Sequence, residues 1–409
     1  MSTTDYDIAI AGGGLVGAAL GALLLRQGRV DPQRVLLLER DWPEAPAVGT
    51  PLDLRVSAYS RASQQVLRAC GAWQRLDASR SAPYERMQVW HEGIAPESRD
   101  ALRFEAAEIA EPDLGAIIEN RAVQAALLAA YVEAGGQVQR ERLVGLTQAT
   151  DAVQLQTESG LCRTRLLVGA DGASSRVREL AGITATQRSY GEQAIVATVR
   201  STQPHRSTAW QSFLATGPLA LLPLADGQCS IVWSAVDDEA ARLMALEESA
   251  FNLALTRASG GALGALALSS ERVVFPLRRL SADHYVAGRC VLVGDAAHVI
   301  HPLAGQGVNQ GLLDAASLCE VIADRPPRED VGALRLLRRY ERARRSGNAL
   351  MGTMVDRLDG LLTGKAGFGG RLAREGMGLV ARHALLRQFF VRQAMGVAGD
   401  LPRAARALS

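Results

Sequence analysis

The sequence predicts an α/β protein: a Rossmann-like dinucleotide-binding domain, an antiparallel-sheet domain inserted into it, and a helical C-terminal segment. Three observations carry the prediction. An apolar run at 6 to 11, YDIAIA, leads directly into GGGLVG and a helical pattern. Between 190 and 280 the apolar residues recur mostly with period two, as in an antiparallel sheet. From about 312 onward the period is helical.

Taken in order, Gly12, Gly14 and Gly17 form G-x-G-x-x-G between a strand and a helix. The first allows a tight turn, the second lets backbone approach a pyrophosphate, and the third packs helix on sheet. The helix AALGALLLRQG ends at Gly28, a C-cap, and RVLLLER (34 to 40) is a second strand. It ends in Glu39, 22 residues beyond Gly17, where a carboxylate accepts from a ribose hydroxyl. Arg40 beside it belongs to the same candidate cofactor-binding set. Residues 56 to 80 read as helix, and ERMQVWHEG (85 to 93) alternates like a strand facing a pocket. IIENRAVQAALLAAYVEAGG (117 to 136) is a strand entering a helix, and RTRLLVGADGASSRVRELAGI (163 to 183) is strand, turn and helix. After the period-two block the chain returns to βα structure at RCVLVGDAAH, and DRPPRED (324 to 330) separates two helices.

The resulting division gives the cofactor domain residues 1–75, 110–182 and 283–330. The substrate-binding sheet domain takes 76–109 and 183–282, and a helical segment takes 331–409. The active site is expected between the first two.

Composition narrows the chemistry. At 48% hydrophobic and 22% charged the chain is an ordinary globular protein, and no apolar run approaches the ~20 residues that span a bilayer. The start, MSTTDYD, lacks the basic opening of a signal peptide, so the expected location is the cytoplasm. The five cysteines are scattered and the histidines have no metal-ligand spacing, so no metal is expected. Lys365 is the only lysine, and alanine follows it, which excludes a Walker loop. From Arg335 to the end there are fifteen basic and five acidic residues, a local +10 in a chain of net charge +2. That segment is expected to meet an anionic membrane surface, peripherally on the inner face of a bacterial membrane, or a lipid carrier. Nothing in the pattern points to nucleic acid.

The glycine turn leaves NAD and FAD open, and two further segments decide between them. VGADGASSRVR places Asp171-Gly172 at one strand end, and LVGDAAHVIHPLAGQGVNQG places Gly294-Asp295 at another. With the glycine turn they resemble the three-part signature of flavin hydroxylases of the para-hydroxybenzoate hydroxylase type. The resemblance implies FAD, with Asp295 on its ribitol. Asp171 would close a turn that also serves a reduced nicotinamide, and Arg55 and Arg121 would touch FAD. FLATGPLALLPLADGQCSIVW (213 to 233), GQGVNQGLLDAASL (305 to 318), LRRYERARRSGNALM (337 to 351) and LLRQFFVRQAMGVAGDLP (385 to 402) look more narrowly like the ubiquinone-biosynthesis hydroxylases. That resemblance covers essentially the whole chain. It implies hydroxylation of a polyprenyl-phenol ring with O2, through a flavin C4a-hydroperoxide. NAD(P)H or another electron donor would bind transiently, and a ubiquinone-biosynthesis complex is an implied partner. The rivals are another aromatic substrate and a flavin-binding scaffold without turnover.

The second glycine loop, Gly305-Gln306-Gly307, leads into a helix expected near Val308. Its free N–H groups and dipole suit the N1–C2=O edge of the flavin, with Pro302 stiffening the entry and Asn309 in the first turn. His298 reads as a packed helix residue, and His301 is the candidate for acid/base work. Trp90, Glu192, Leu222, Pro223 and Trp233 are the candidate substrate pocket. Glu192 departs from the resembled family, whose members carry glutamine two residues after the tyrosine.

Overall fold

The computed structural model describes residues 4–47, 49–301, 306–362 and 400–406. Its cofactor-side sheet runs in the order Val286–Ala287, Cys290–Leu292, Leu161–Gly169, Tyr6–Ala11, Val35–Leu38, Gln137–Gln139. The centre is parallel, with Ile8 opposite Leu166 on one side and Val35 on the other. Parallel strands are covered on both faces and therefore carry unbroken apolar runs. Ile8 to Ile10 and Val35 to Leu37 have no exposed surface. Helix Leu15–Gln27 lies against Asn120–Glu133 and Gln306–Ala323, which explains why it is apolar around most of its circumference.

The second sheet runs His298–Val299, Val273–Ala282, Ala185–Ser201, Cys229–Val236, Gly217–Pro223, Thr208–Leu214, Arg86–His91, Leu102–Glu105. It is antiparallel except where Thr208–Leu214 meets Arg86–His91 in parallel. That exception arises because the chain enters this sheet on separate visits. Strand alternation divides its faces. Leu219, Leu221, Ile231 and Trp233 pack with Phe251 beneath helices Asp237–Ala245 and Glu248–Ala258. Ala220, Leu222, Val232 and Ser234 line a cleft on the other face. The short strand His298–Val299 passes straight from the Gly294-Asp295 turn onto the edge of this sheet, opposite Ser281 and Leu280.

Residues 56 to 80 correct the expectation of one helix. Val56–Ser60 is a strand paired antiparallel with Gly115–Glu119, which also pairs Ser81–Tyr84. The helix is Arg61–Ala69, started by the Ser60 hydroxyl accepting the Ser63 N–H at 3.3 Å, and short 3-10 turns follow. The pairing partner in this small sheet overrides the helical period of the run. The sheet is pinned by a buried ion pair, in which Arg80 donates twice to Glu119 at 2.5 and 2.7 Å.

Helix Leu334–Leu362 follows the break at 324 to 330. Residues 363–399, which include Lys365 and most of the 385 to 402 stretch, lie outside the described residues. Among the described residues no helix is long and apolar enough to cross a membrane.

Candidate functional site

Three turns at strand ends converge on one cleft. In the first, Gly12 has φ +99°, and a Cβ there would stand 2.5 Å from the Ala170 carbonyl oxygen. A Cβ on Gly17 would collide with the Gly12 carbonyl, whereas one on Gly14 would meet open space. Two glycines thus serve packing, and Gly14 leaves bare backbone facing the cleft. Glu39 closes the second strand onto this turn, accepting the N–H of Gly13 at 2.6 Å and of Asp41 at 2.8 Å. Gln124, one turn into its helix, donates to the Gly13 carbonyl at 2.9 Å. Sequence reasoning missed it; the clue was its place in NRAVQ, one turn after Arg121.

In the second turn Asp171 serves its own backbone, accepting from the Ser175 hydroxyl at 2.5 Å and from the Val177 N–H at 3.0 Å. Gly172, with φ +79°, lines the cleft. Arg178 then ties the second turn to the third, donating to Ala173 O at 2.8 Å and Ala296 O at 2.9 Å.

The third turn presents Asp295. Its side chain opens into the cleft while protein surrounds it on the remaining sides. Desolvation pushes its carboxyl above the usual carboxylate range; His298 pulls it down and Asp314 pushes it up. No described residue donates a hydrogen bond to it. Behind it Asp314 has no exposed surface and lies 2.6 Å from His298 Nε2 and 2.7 Å from Arg344 Nε. Burial alone raises the Asp314 carboxyl, but His298 and Arg344 more than offset that and hold it well below the usual range. Asp314 and Arg344 were also missed, because the partners come from different helices.

The cleft has a volume of about 470 Å3. It runs from Gly14, Gly172, Asp295 and Gly307 to the apolar sheet face at Ala220 and Leu222. Helix Gln306–Ala323 begins two residues earlier than expected, and Gly307 and Val308 touch the cleft. Pro302 and Gly305, and the side chain of Gln306, lie outside the described residues. At the substrate end His301 is buried in the wall, its Nε2 3.3 Å from Glu192 Oε2, with its ring edge-on to Tyr190 at 4.9 Å. These features fit FAD: bare backbone at two turns, a helix N-terminus, and a lone acceptor carboxylate for hydroxyls.

Other expected residues fall elsewhere. The Asn309 side chain is used inside the protein, donating to Ala58 O at 2.9 Å and accepting from Ser60 N at 3.0 Å and the Ser63 hydroxyl at 2.6 Å. Arg40, Arg55 and Arg121 are exposed and line none of the cleft: Arg40 pairs with Glu158, Arg55 covers the Phe275 ring, and Arg121 donates to Glu44 O. Leu222 lines the cleft, but Trp90, Glu192, Pro223 and Trp233 do not, which corrects the expected pocket; Glu192 is buried behind His301. Trp90 packs edge-on to Trp210 and Trp233 against Phe251, on the opposite face of the sheet. Period two identifies the two faces of a strand without saying which one meets the cofactor.

The family model described as FAD binding domain matches residues 5–351. The chain is 36% identical to the ubiquinone hydroxylase UbiL of Rhodospirillum rubrum, covering 95% of this chain and 89% of that one. It is 35% identical to the 3-demethoxyubiquinol 3-hydroxylase of Escherichia coli, over 87% and 90%. Its fold is similar to that of p-nitrophenol 4-monooxygenase PnpA from Pseudomonas putida, with TM-score 0.71 at 16% identity, covering 96% and 99%. With the turns, the carboxylate and the cleft in place, these matches mean that the chain belongs to the FAD-binding-domain family and is an FAD-dependent aromatic monooxygenase.

Proposed function

We propose that this enzyme hydroxylates the ring of a polyprenyl phenol in ubiquinone biosynthesis, using O2. The observation that carries the reading is the single cleft joining the Asp295 turn to an apolar sheet face. The similarity to ubiquinone hydroxylases along nearly the whole chain supports it. Bound FAD supplies the oxygen-transfer chemistry after reduction by NAD(P)H or another donor. The protein binds, orients and keeps dry. Gly12, Gly14, Gly17 and Glu39 would take the adenosine and pyrophosphate end, and Asp295 the ribitol hydroxyls. The N–H groups opening helix Gln306–Ala323 would face the flavin edge. Ala209, Ala220, Leu222 and Val232 would seat the phenol ring and exclude water. His301 lines the same cleft and is backed by the buried Glu192 carboxylate, and we assign that imidazole–carboxylate pair to the phenolic proton.

The polyprenyl tail has to come from a membrane or a lipid carrier. We assign the basic segment from Arg335 onward to that contact, on the cytoplasmic face of the membrane. Flotation with anionic liposomes tests it; binding that persists without the segment rules it out. For the reaction itself, the lipid quinones of cells lacking this gene are analysed by mass spectrometry. A polyprenyl phenol short of one oxygen is expected to accumulate, and an unchanged quinone profile overturns the substrate assignment.

A further inference from the structure

The Gly294-Asp295 turn is held from behind by the C-terminal helix. Asp314 Oδ2 accepts the Gly294 N–H at 3.1 Å as well as facing His298. A fully buried carboxylate needs compensating charge and donors. Helix Leu334–Leu362 brings both: Arg344 Nε and, one turn on, Asn348 Nδ2 donate to Asp314 Oδ1 at 2.7 and 3.0 Å. The same stretch grips the neighbouring strand. The Tyr340 hydroxyl donates to Leu292 O at 2.9 Å, and Glu341 accepts the Tyr285 N–H at 2.7 Å. Four residues within about two turns therefore hold the elements that present Asp295.

Charge makes the link more than mechanical. The Asp314 charge opposes ionisation of Asp295, and Arg344, bonded to Asp314, balances it. Without Arg344 the stranded carboxylate either takes a proton, loosening its hold on the Gly294 N–H, or makes Asp295 harder to ionise. Both leave Asp295 a poorer acceptor for a cofactor hydroxyl.

We propose that Arg344 and Asp314 are positioning residues for the FAD site, so that docking of the C-terminal helix and binding of FAD form one coupled equilibrium. The inference rests on FAD binding and is independent of which phenol is the substrate. Coupling of this kind is reciprocal: FAD tightens the helix by the factor that the helix tightens FAD.

The test uses the full-length protein, stripped of flavin and titrated with FAD. Arg344→Met is expected to weaken FAD about tenfold, and Arg344→Lys by less. Adding Asp314→Asn to Arg344→Met is expected to recover part of the loss, because it removes the stranded charge. A support role alone would make the double variant worse. Hydrogen exchange in wild-type peptides covering 338–350 gives a second readout that needs no variant to fold. FAD is expected to slow exchange there, and to do so less in Arg344→Met. Exchange in 338–350 unaffected by FAD overturns the proposal. So does an unchanged FAD dissociation constant in an Arg344→Met protein that merely melts earlier.

Discussion

On the cofactor side, Asp171, Asn309 and Asp314 each meet their donors within the protein. In the substrate sheet, Trp210 Nε1, Ser212 Oγ, Ser230 Oγ and Trp233 Nε1 are buried with no hydrogen-bond partner. Among the described residues Arg68 Nη1 is the counterpart on the cofactor side. A cofactor of fixed shape is met by closed polar networks that leave one acceptor, Asp295, turned to the cleft. An apolar ring is met by a surface whose shape matters more than its hydrogen bonds, and such a sheet tolerates open polar groups on either face.

Substitutions can break or sharpen that contrast. The largest effect is expected from Gly17→Ala, whose Cβ would strike the Gly12 carbonyl, where only backbone could yield. Purified protein should retain less than about a tenth of the normal flavin absorbance. Near-ultraviolet circular dichroism from Trp210 and Trp233 should stay as in wild type; loss of that signal too would mean that the two regions fold as one.

Asp295→Asn should move two quantities in opposite directions. Because desolvation raises its folded pKa, the ionised carboxylate destabilises the flavin-free fold above the ordinary aspartate range. Asparagine removes that cost, so the flavin-free variant should melt higher at neutral pH, with the gain vanishing below about pH 4. FAD binding should weaken by about tenfold. A variant that melts lower at neutral pH would contradict the assignment.

Glu192→Leu, which takes the carboxylate away from His301, should lower kcat by about tenfold while leaving FAD affinity within about twofold, whereas Glu192→Gln, the residue the resembled family carries, should lower it less. Steady-state turnover and flavin titration separate the two; lost flavin would move Glu192 to the cofactor side of the contrast. Trp233→Phe, which deletes an unpartnered donor but also shrinks a core side chain on the far face, should cost about 1–2 kcal/mol in denaturant unfolding, from packing and not from the donor, with turnover unaltered.

Much of the cofactor half was legible in the residues. Gly12, Gly172 and Asp295 at strand ends, and Gly17 in the first turn of its helix, were readable because turn requirements and strand periods are local signals. The Asn309 bonds to Ala58, Ser60 and Ser63 join positions about 250 apart, and no spacing rule reaches that far. Arg344 was hidden for the same reason, within a run of arginines that reads as a solvated face. The strand Val56–Ser60 was hidden because its partner, Gly115–Glu119, comes much later in the chain. In the substrate sheet the alternation was visible, but its polarity was not, and Trp90 and Trp233 were therefore set on the wrong side.

The helix that follows the glycine turn, Leu15–Gln27, rests on Gln306–Ala323, and the sheet beside it is completed by Cys290–Leu292. During synthesis the first-made part of the cofactor domain therefore waits for roughly 290 further residues, about 15–60 s at ~5–20 residues per second. Through that interval strands such as Tyr6–Ala11 and Val35–Leu38 are apolar and half-covered, the state that chaperones hold and that aggregates otherwise. A chain cut before 306 would therefore be a nascent intermediate rather than a smaller enzyme.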